Sequence, residues 1–222
     1  MVNIKEYSSE QELKEIICEI GKRMYERGYV AANDGNISIM QGDKEIWATP
    51  TGVSKGFMTP DMLVKLDLEG NVLEGNLKPS SEIKMHIRVY KENPMVKAVI
   101  HAHPPMATTF SIAGLALERP ILAEAIMSLG IVPVAPYATP GTEEVPDSIA
   151  PFCRDFNAVL LANHGALSWG RDPQEAYFRM ESLEHYAQIL KNVGSLHLGV
   201  NEFTTEQIEV LKGLREGLLK DY

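Results

Sequence analysis

His101 and His103 stand one residue apart in the stretch VIHAHPP, behind an apolar run and ahead of two prolines. Side chains alternate between faces along a strand, so both imidazoles are expected to project together, with Ala102 turned away. Pro104 and Pro105 stop the ladder at once, which puts the pair at a strand end. Neutral imidazoles converging there suit Zn²⁺, whose nitrogen ligands sit at about 2.0–2.1 Å. A strand-end pair that only solvates a sheet edge is the plainer reading of the same spacing. His164, in LLANHGALSWG, closes a second apolar run ahead of Gly165, read as a turn. Three imidazoles from two strand ends match a catalytic zinc centre with one position left for substrate. Among the six histidines, His86 and His185 fall inside helical patterns and His197 in a loop, and nothing in the sequence pairs them with the others.

A carboxylate and three small loops accompany the histidines. KPSSEIKMH opens a helix just upstream of the HAH strand. Backbone N–H groups at a helix start, with the Ser80 and Ser81 hydroxyls, form an anion site that needs no lysine. Glu82 follows directly; its ordinary role would be a first-turn acid that favours the helix dipole. NDGNIS offers the Asn36 amide beside Gly35, and TPTG offers the Thr51 hydroxyl beside Gly52. Glycine lets a backbone come close to a bound phosphate. Each loop alone reads as a hairpin turn.

The elements that must position these residues are legible in outline. Ser9 and Glu12 form a capping box for a first helix that carries Leu13, Ile16, Ile17, Ile20 and Met24 on one face and stops at Gly28. Strand-like pieces begin at Asn36, Glu45 and Leu63, separated by turn signals that favour hairpins. A helix is expected over about 81–91, then the strand MVKAVIHAH, then the strand NAVLLANH from Asn157. Asp172-Pro173 with Glu175 marks the start of a long helix, and a last helix runs from about Thr205. Strands in the middle with helices around them predict a layered α/β architecture with early antiparallel pairing, as one domain over residues 1–222.

Composition narrows the classes. The chain has 222 residues, 23% of them charged, and a formal net charge of −9 without a basic cluster, which argues against a nucleic-acid partner. No apolar run approaches a membrane span, and the charged N-terminus lacks a signal-peptide core. Cys18 and Cys153 make no disulfide framework, so a cytoplasmic protein is expected.

The ordered set GN-x-S at 35–38, TPTG at 49–52, PSSE at 79–82, HAH at 101–103, APYAT at 135–139 and NHG at 163–165 resembles the class II aldolase/adducin family, over about residues 10–190. The resemblance implies a single three-layer α/β/α domain with a largely antiparallel central sheet, assembled as a homotetramer with active sites between subunits. It also implies one Zn²⁺ per subunit on His101, His103 and His164. Glu82 would be a metal neighbour when the site is empty and the catalytic acid/base when substrate is bound. Gly35 with Asn36, Thr51 with Gly52, and Ser80 with Ser81 would hold the substrate phosphate. The implied activity is reversible cleavage of a ketose 1-phosphate, of the L-fuculose 1-phosphate type, to dihydroxyacetone phosphate and a short aldehyde.

One region departs from the pattern. Where such aldolases carry a tyrosine contributed by a neighbouring subunit, this chain reads RPILAEAIMSLG. Glu124 is its nearest ionisable residue, and the related pentulose-phosphate 4-epimerases place an acid in about this region. Glu124 is therefore a candidate second acid, and equally a helix-face carboxylate at a subunit contact. The alternatives within the family are a pentulose-phosphate 4-epimerase, a methylthioribulose-phosphate dehydratase and a sugar-acid phosphate decarboxylase. An adducin-like interaction domain is the alternative of another class, disfavoured by the presence of all three histidines and Glu82. The aldehyde half of the substrate and the role of segment 195–222, with Tyr222 at its end, stay open.

Overall fold

The computed structural model describes residues 9–220, with side chains through Leu214; Tyr222 lies outside the described residues. Helix α1 (Glu10–Glu26) begins where Ser9 Oγ accepts the Glu12 N–H at 3.2 Å and stops ahead of Gly28, as its capping residues predict. Strands β1 (Asn36–Gln41), β2 (Glu45–Ala48), β3 (Val64–Asp67) and β4 (Val72–Glu74) pair antiparallel in sequence order. Helix α2 (Ile83–Glu92) leads into β5 (Ala98–Ala102). Then come α3 (Pro105–Ala113), α4 (Ala123–Ser128), β6 (Val134–Ala135) and α5 (Glu144–Ile149). Strands β7 (Ala158–Leu161) and β8 (Gly165–Gly170), then α6 (Pro173–Ser195) and α7 (Thr205–Lys220), complete the chain. At the head of α6 the Asp172 carboxylate accepts the Glu175 N–H at 2.7 Å.

The eight strands form one sheet in the order β4-β3-β2-β1-β5-β8-β7-β6. Every pairing is antiparallel except β6 with β7. Alternation divides the sheet into two apolar faces. Ile37, Ile39, Ile100 and Leu160 pack with Leu13 and Ile17 of α1, Ala107 of α3 and Met180 and Leu183 of α6. Val64, Leu66, Val99, Val159, Leu167 and Trp169 pack with Met85 and Val89 of α2 and Ile149 of α5. Helices on both faces of a mostly antiparallel sheet make the three-layer architecture that was expected. No helix among the described residues is long and apolar enough to cross a membrane.

The expected boundaries shift in places that matter for the site. The helix after PSSE starts at Ile83, leaving Glu82 as its N-cap residue. The strand carrying HAH ends at Ala102, so His103 lies one step beyond it. Gly165 opens β8 rather than forming a turn; the turn is Ala162–His164. Pro105 does more than end a strand. It starts α3, an element without a periodic signature of its own.

On the α2 side one histidine sits among the apolar groups. His86 is fully buried, with Nδ1 2.7 Å from the Ser38 hydroxyl, which lies 2.9 Å from the Tyr90 hydroxyl. Burial pushes His86 down to about 3, with Glu82 pulling weakly the other way. In the unfolded chain the same ring titrates at about 6.5. Between those values the unfolded state takes up a proton that the folded state refuses. This contribution to stability is therefore full above about pH 6.5 and is lost as pH falls toward the folded value, by roughly 1.4 kcal/mol per pH unit. Urea unfolding at about pH 6.5 and about pH 4.5 is expected to show a slope shallower by about one proton in His86→Phe than in the parent chain; equal slopes would clear His86 of the effect.

Candidate active site

The register of the central strands puts the histidines together. Asn36 of β1 lies opposite His101 of β5, and His101 lies opposite Leu167 of β8. The turn before β8 then carries His164 over the end of β5. Ring centroids of His101, His103 and His164 are 4.7–5.0 Å apart, and one nitrogen from each lies within 4.8 Å of the others. His101 is fully buried, while the side chains of His103 and His164 are 26% and 14% exposed, so the cluster opens to solvent on one side.

Glycines make this approach possible. A Cβ at Gly165 would lie 2.5 Å from the Ala102 carbonyl oxygen and 2.6 Å from His103 Cδ2. At Gly35, where φ is +73°, a Cβ would lie 2.8 Å from the His101 carbonyl oxygen. Neither position has space for any side chain.

Hydrogen bonding sets the ring tautomers. The Ala166 carbonyl can only accept, so His101 Nδ1, 2.9 Å away, carries the hydrogen and Nε2 keeps its lone pair. His103 turns Nδ1 toward Asp34 Oδ2 at 3.5 Å, which favours the hydrogen there, and brings Nε2 to 3.0 Å from that of His101. Two lone pairs aimed at one point repel unless a cation lies between them. Glu82 adds a carboxylate: Oε2 is 3.5 Å from His101 Nε2 and Oε1 is 3.1 Å from His164 Nε2. Oε1 is buried and accepts no hydrogen bond, and the same is true of Asn36 Oδ1. Nitrogen ligands of a tetrahedral ion bound at about 2.0–2.1 Å stand about 3.3 Å apart. The donor set, its spacing and its orphaned oxygens all fit a divalent metal, with His101 held by a backbone carbonyl in the way that metal-ligating histidines usually are.

The charge state agrees. Burial pushes His101 down to about 3 and lowers His103 as well, the neighbouring His164 adding to the effect on His103. Burial works to raise the Glu82 carboxyl, yet His101, His164 and the Asn36 amide outweigh it and hold the group below the usual carboxylate range. At neutral pH the His101 ring is uncharged, so the attraction of a charged imidazole for Glu82 belongs to acid. The Asn36 amide, donating to Oε2 at 2.8 Å, is its standing partner.

The three loops converge beside this carboxylate. Asn36 Nδ2 also donates to Ser80 Oγ at 3.2 Å, and the Glu82 N–H donates to the same oxygen at 3.3 Å. Ser80 is thereby used as an acceptor, which leaves its own hydrogen to give to an anion. The Thr51 N–H donates to the Lys78 carbonyl, the Ser80 N–H donates to the Thr49 carbonyl, and Pro50 bridges to Pro79, tying TPTG to KPSS. Thr51, Gly52 and Ser81 face solvent, and Gly141, beyond APYAT, lies beside Ser81.

Two neighbours escaped sequence reasoning. Asp34, in NDGN, orients His103, and its signal was only its place beside Gly35. Lys55, three residues past TPTG, is 1% exposed and donates to the carbonyls of Asn33 and Val53, in two of the loops. Burial pushes its ammonium down to about 8, with Asp34 and Glu82 acting in the opposite sense, so it stays mostly protonated at neutral pH. Glu124 is not brought to the cluster within the chain. It is exposed in the first turn of α4, which packs on α6 and α7.

The sequence profile of the Class II Aldolase and Adducin N-terminal domain matches residues 15–190, which include all three histidines, Glu82 and the loops. The chain belongs to the class II aldolase/adducin family. A 3-oxo-tetronate 4-phosphate decarboxylase of Escherichia coli (strain K12) is 37% identical over 189 residues, spanning 83% of this chain and 89% of its own. An L-fuculose phosphate aldolase of Methanococcus maripaludis is 35% identical over 173 residues, spanning 78% of this chain and 91% of its own. A solved L-fuculose 1-phosphate aldolase superposes with a TM-score of 0.87 at 28% identity, over 94% of this chain and 98% of that one. Class II aldolases are metal-dependent, which agrees with the three-histidine site of this family member.

If the glycine approach positions the metal ligands, Gly165→Ala is expected to destabilise the chain by about 1–3 kcal/mol through overpacking and to reduce bound metal. Chemical denaturation and metal analysis check this together. A variant with full stability and full metal content would show that the backbones can separate without consequence.

Proposed function

We propose that this chain is a metal-dependent lyase that cleaves a carbon–carbon bond in a phosphorylated sugar, working reversibly as a ketose 1-phosphate aldolase of the L-fuculose 1-phosphate type. The observation that carries the reading is the Glu82 carboxylate, buried against the three histidines with one oxygen free of hydrogen bonds. Proton transfer at a carbon next to a carbonyl needs a positioned general acid–base, and a carboxylate can serve as one.

His101, His103 and His164 would hold one zinc ion, with Glu82 as its further neighbour. When bound, the ion supplies Lewis acidity that stabilises negative charge developing on substrate oxygens. Glu82 then holds or delivers the proton at the carbon where the bond breaks, while the Asn36 amide keeps its second oxygen in place. The Ser80 hydroxyl, with Ser81, Thr51 and the backbone at Gly35 and Gly52, receives the phosphate. Dihydroxyacetone phosphate and a short aldehyde are the products. Glu124 would serve the aldehyde oxygen of a neighbouring subunit's site in a homotetramer, because nothing brings it to its own. Two free thiols, Cys18 and Cys153, fit a reducing cytoplasm.

A second reading is 3-oxo-tetronate 4-phosphate decarboxylation, favoured by the 37% identity to an enzyme of that name. Its substrate brings an extra carboxylate. The described arginine side chains are engaged elsewhere, with Glu19, Glu181, Glu92, Glu202 and Glu175, which favours a neutral leaving aldehyde.

The zinc-loaded chain is incubated with several ketose 1-phosphates and with 3-oxo-tetronate 4-phosphates, and dihydroxyacetone phosphate and carbon dioxide are measured. Release of dihydroxyacetone phosphate with an equivalent of aldehyde from a ketose 1-phosphate, abolished by a chelator, is expected. Decarboxylation also leaves dihydroxyacetone phosphate, so carbon dioxide release from a 3-oxo-tetronate 4-phosphate with no cleavage of any ketose 1-phosphate would establish the second reading. Glu82→Gln is expected to lower kcat by about 10²-fold or more, the scale of a lost general acid–base, with zinc still bound. Full activity in that variant would remove Glu82 from the chemistry. Glu124→Gln is expected to slow cleavage without altering metal content, and an unchanged rate would leave Glu124 as a surface carboxylate.

A further inference from the structure

Gly21, in the middle of α1, has no room for a side chain: a Cβ there would lie 2.5 Å from Met58 Cε and 2.7 Å from the Lys55 carbonyl oxygen. The short helical turn Lys55–Phe57 therefore lies directly on α1, and the Lys55 side chain is turned inward. Its Nζ donates to the Asn33 carbonyl at 2.9 Å and to the Val53 carbonyl at 2.7 Å. Asn33 begins the loop that continues through Gly35 and Asn36, and Val53 ends the loop that contains Thr51 and Gly52. One ammonium thus joins the two glycine-bearing loops of the anion cradle.

An ammonium has three N–H donors, and two are used here. No described carboxylate lies within ion-pair distance of Lys55; Asp34 and Glu82 act on it only at longer range. A buried charge without a partner is among the least favourable arrangements in a folded chain. The cost is accepted where an anion from solution supplies the partner. The hydroxyls and backbone N–H groups of the cradle carry no net charge, and Lys55 is a buried cation tied to both of its glycine-bearing loops.

We propose that Lys55 supplies the positive charge that holds the substrate phosphate and fixes the two loops that receive it, so that it sets the preference for phosphorylated over unphosphorylated sugars. The proposal rests on reading the site as a sugar-phosphate lyase.

Inorganic phosphate is the probe, titrated into the full chain by calorimetry with zinc bound and again after chelation, so that binding to the metal is separated from binding to the cradle. Lys55→Met is expected to weaken phosphate binding in both states by about tenfold or more, the scale of a charged hydrogen bond. With a ketose 1-phosphate, KM is expected to rise by more than kcat falls, at unchanged zinc content. Lys55→Gln keeps a donor for the two carbonyls without the charge and is expected to behave like Lys55→Met. Parent-like phosphate binding in Lys55→Gln would overturn the charge and leave only a loop tie. Should neither variant fold, the ¹⁵N resonance of the Lys55 ammonium in the parent chain is followed as phosphate is added; a shift supports the proposal and a stationary resonance overturns it. Lys55-dependent phosphate binding without turnover of any sugar phosphate would sink the lyase reading alone. Turnover with phosphate affinity indifferent to Lys55 would sink this proposal alone.

Discussion

The histidines meet because separate stretches of backbone pass one another at the end of the central strands without space for a side chain between them. Gly35 lies against the His101 carbonyl, and Gly165 lies against the Ala102 carbonyl and the His103 ring. Close packing of this kind leaves the backbone little freedom. It fixes where β1, β5 and β8 end relative to one another, and every polar contact of the site is measured from those ends. Asn36 reaches Glu82 because it sits opposite His101 in the ladder, and Ala166 reaches the His101 ring because it sits opposite Ala102.

Around that fixed point the charges are arranged in two groups. On one side stand acceptors: lone pairs of buried, uncharged rings, the Glu82 carboxylate and the Asn36 carbonyl oxygen. On the other stand donors: the Ser80 hydroxyl, loop N–H groups and the Lys55 ammonium. A wall of acceptors favours a cation and a wall of donors favours an anion, so the two together suit a substrate that offers oxygens to a metal at one end and a phosphate at the other. Asn36 stands at the boundary, since its amide hydrogens go to Ser80 and Glu82, one on each side.

Much of this was legible in the residues, and what was not has a physical reason. The helix caps at Ser9 and Asp172 and the antiparallel hairpins depend on contacts within a few residues, which a local pattern records. His101, His103 and His164 were found by type and spacing, although only His101 lies on a strand. Helix α3 left no such record because its cap comes from afar. Pro104 supplies no capping side chain, and the Met106 and Ala107 N–H groups donate instead to Glu184 of α6, at 2.8–3.1 Å. Asp34 and Lys55 were missed for a related reason. Their meaning lies in what faces them across the fold, and a lone aspartate or lysine in a loop has no spacing to betray it.

The capping of α3 by Glu184 also bears on why relatives with two different named activities stand at such similar identity to this chain. The segment that carries His101 and His103 is held where it leaves the strand, at two successive points. The His103 N–H donates to the Tyr29 carbonyl at 2.9 Å, and the start of α3 is gripped by a carboxylate that is itself buried in the layer of α6. The histidine side of the site is therefore built from strand ends, a helix cap and the packed core beneath them. The other side is built from loops, with Thr51, Gly52 and Ser81 open to solvent. The exposed side chains of Thr51 and Ser81 can be replaced without disturbing the core, whereas Gly35, Asn36 and the histidine side cannot. A rigid centre that stabilises charge next to a carbonyl can thus be kept while the group that leaves changes from an aldehyde to carbon dioxide, since the two reactions share the charge that develops and differ in what departs from it.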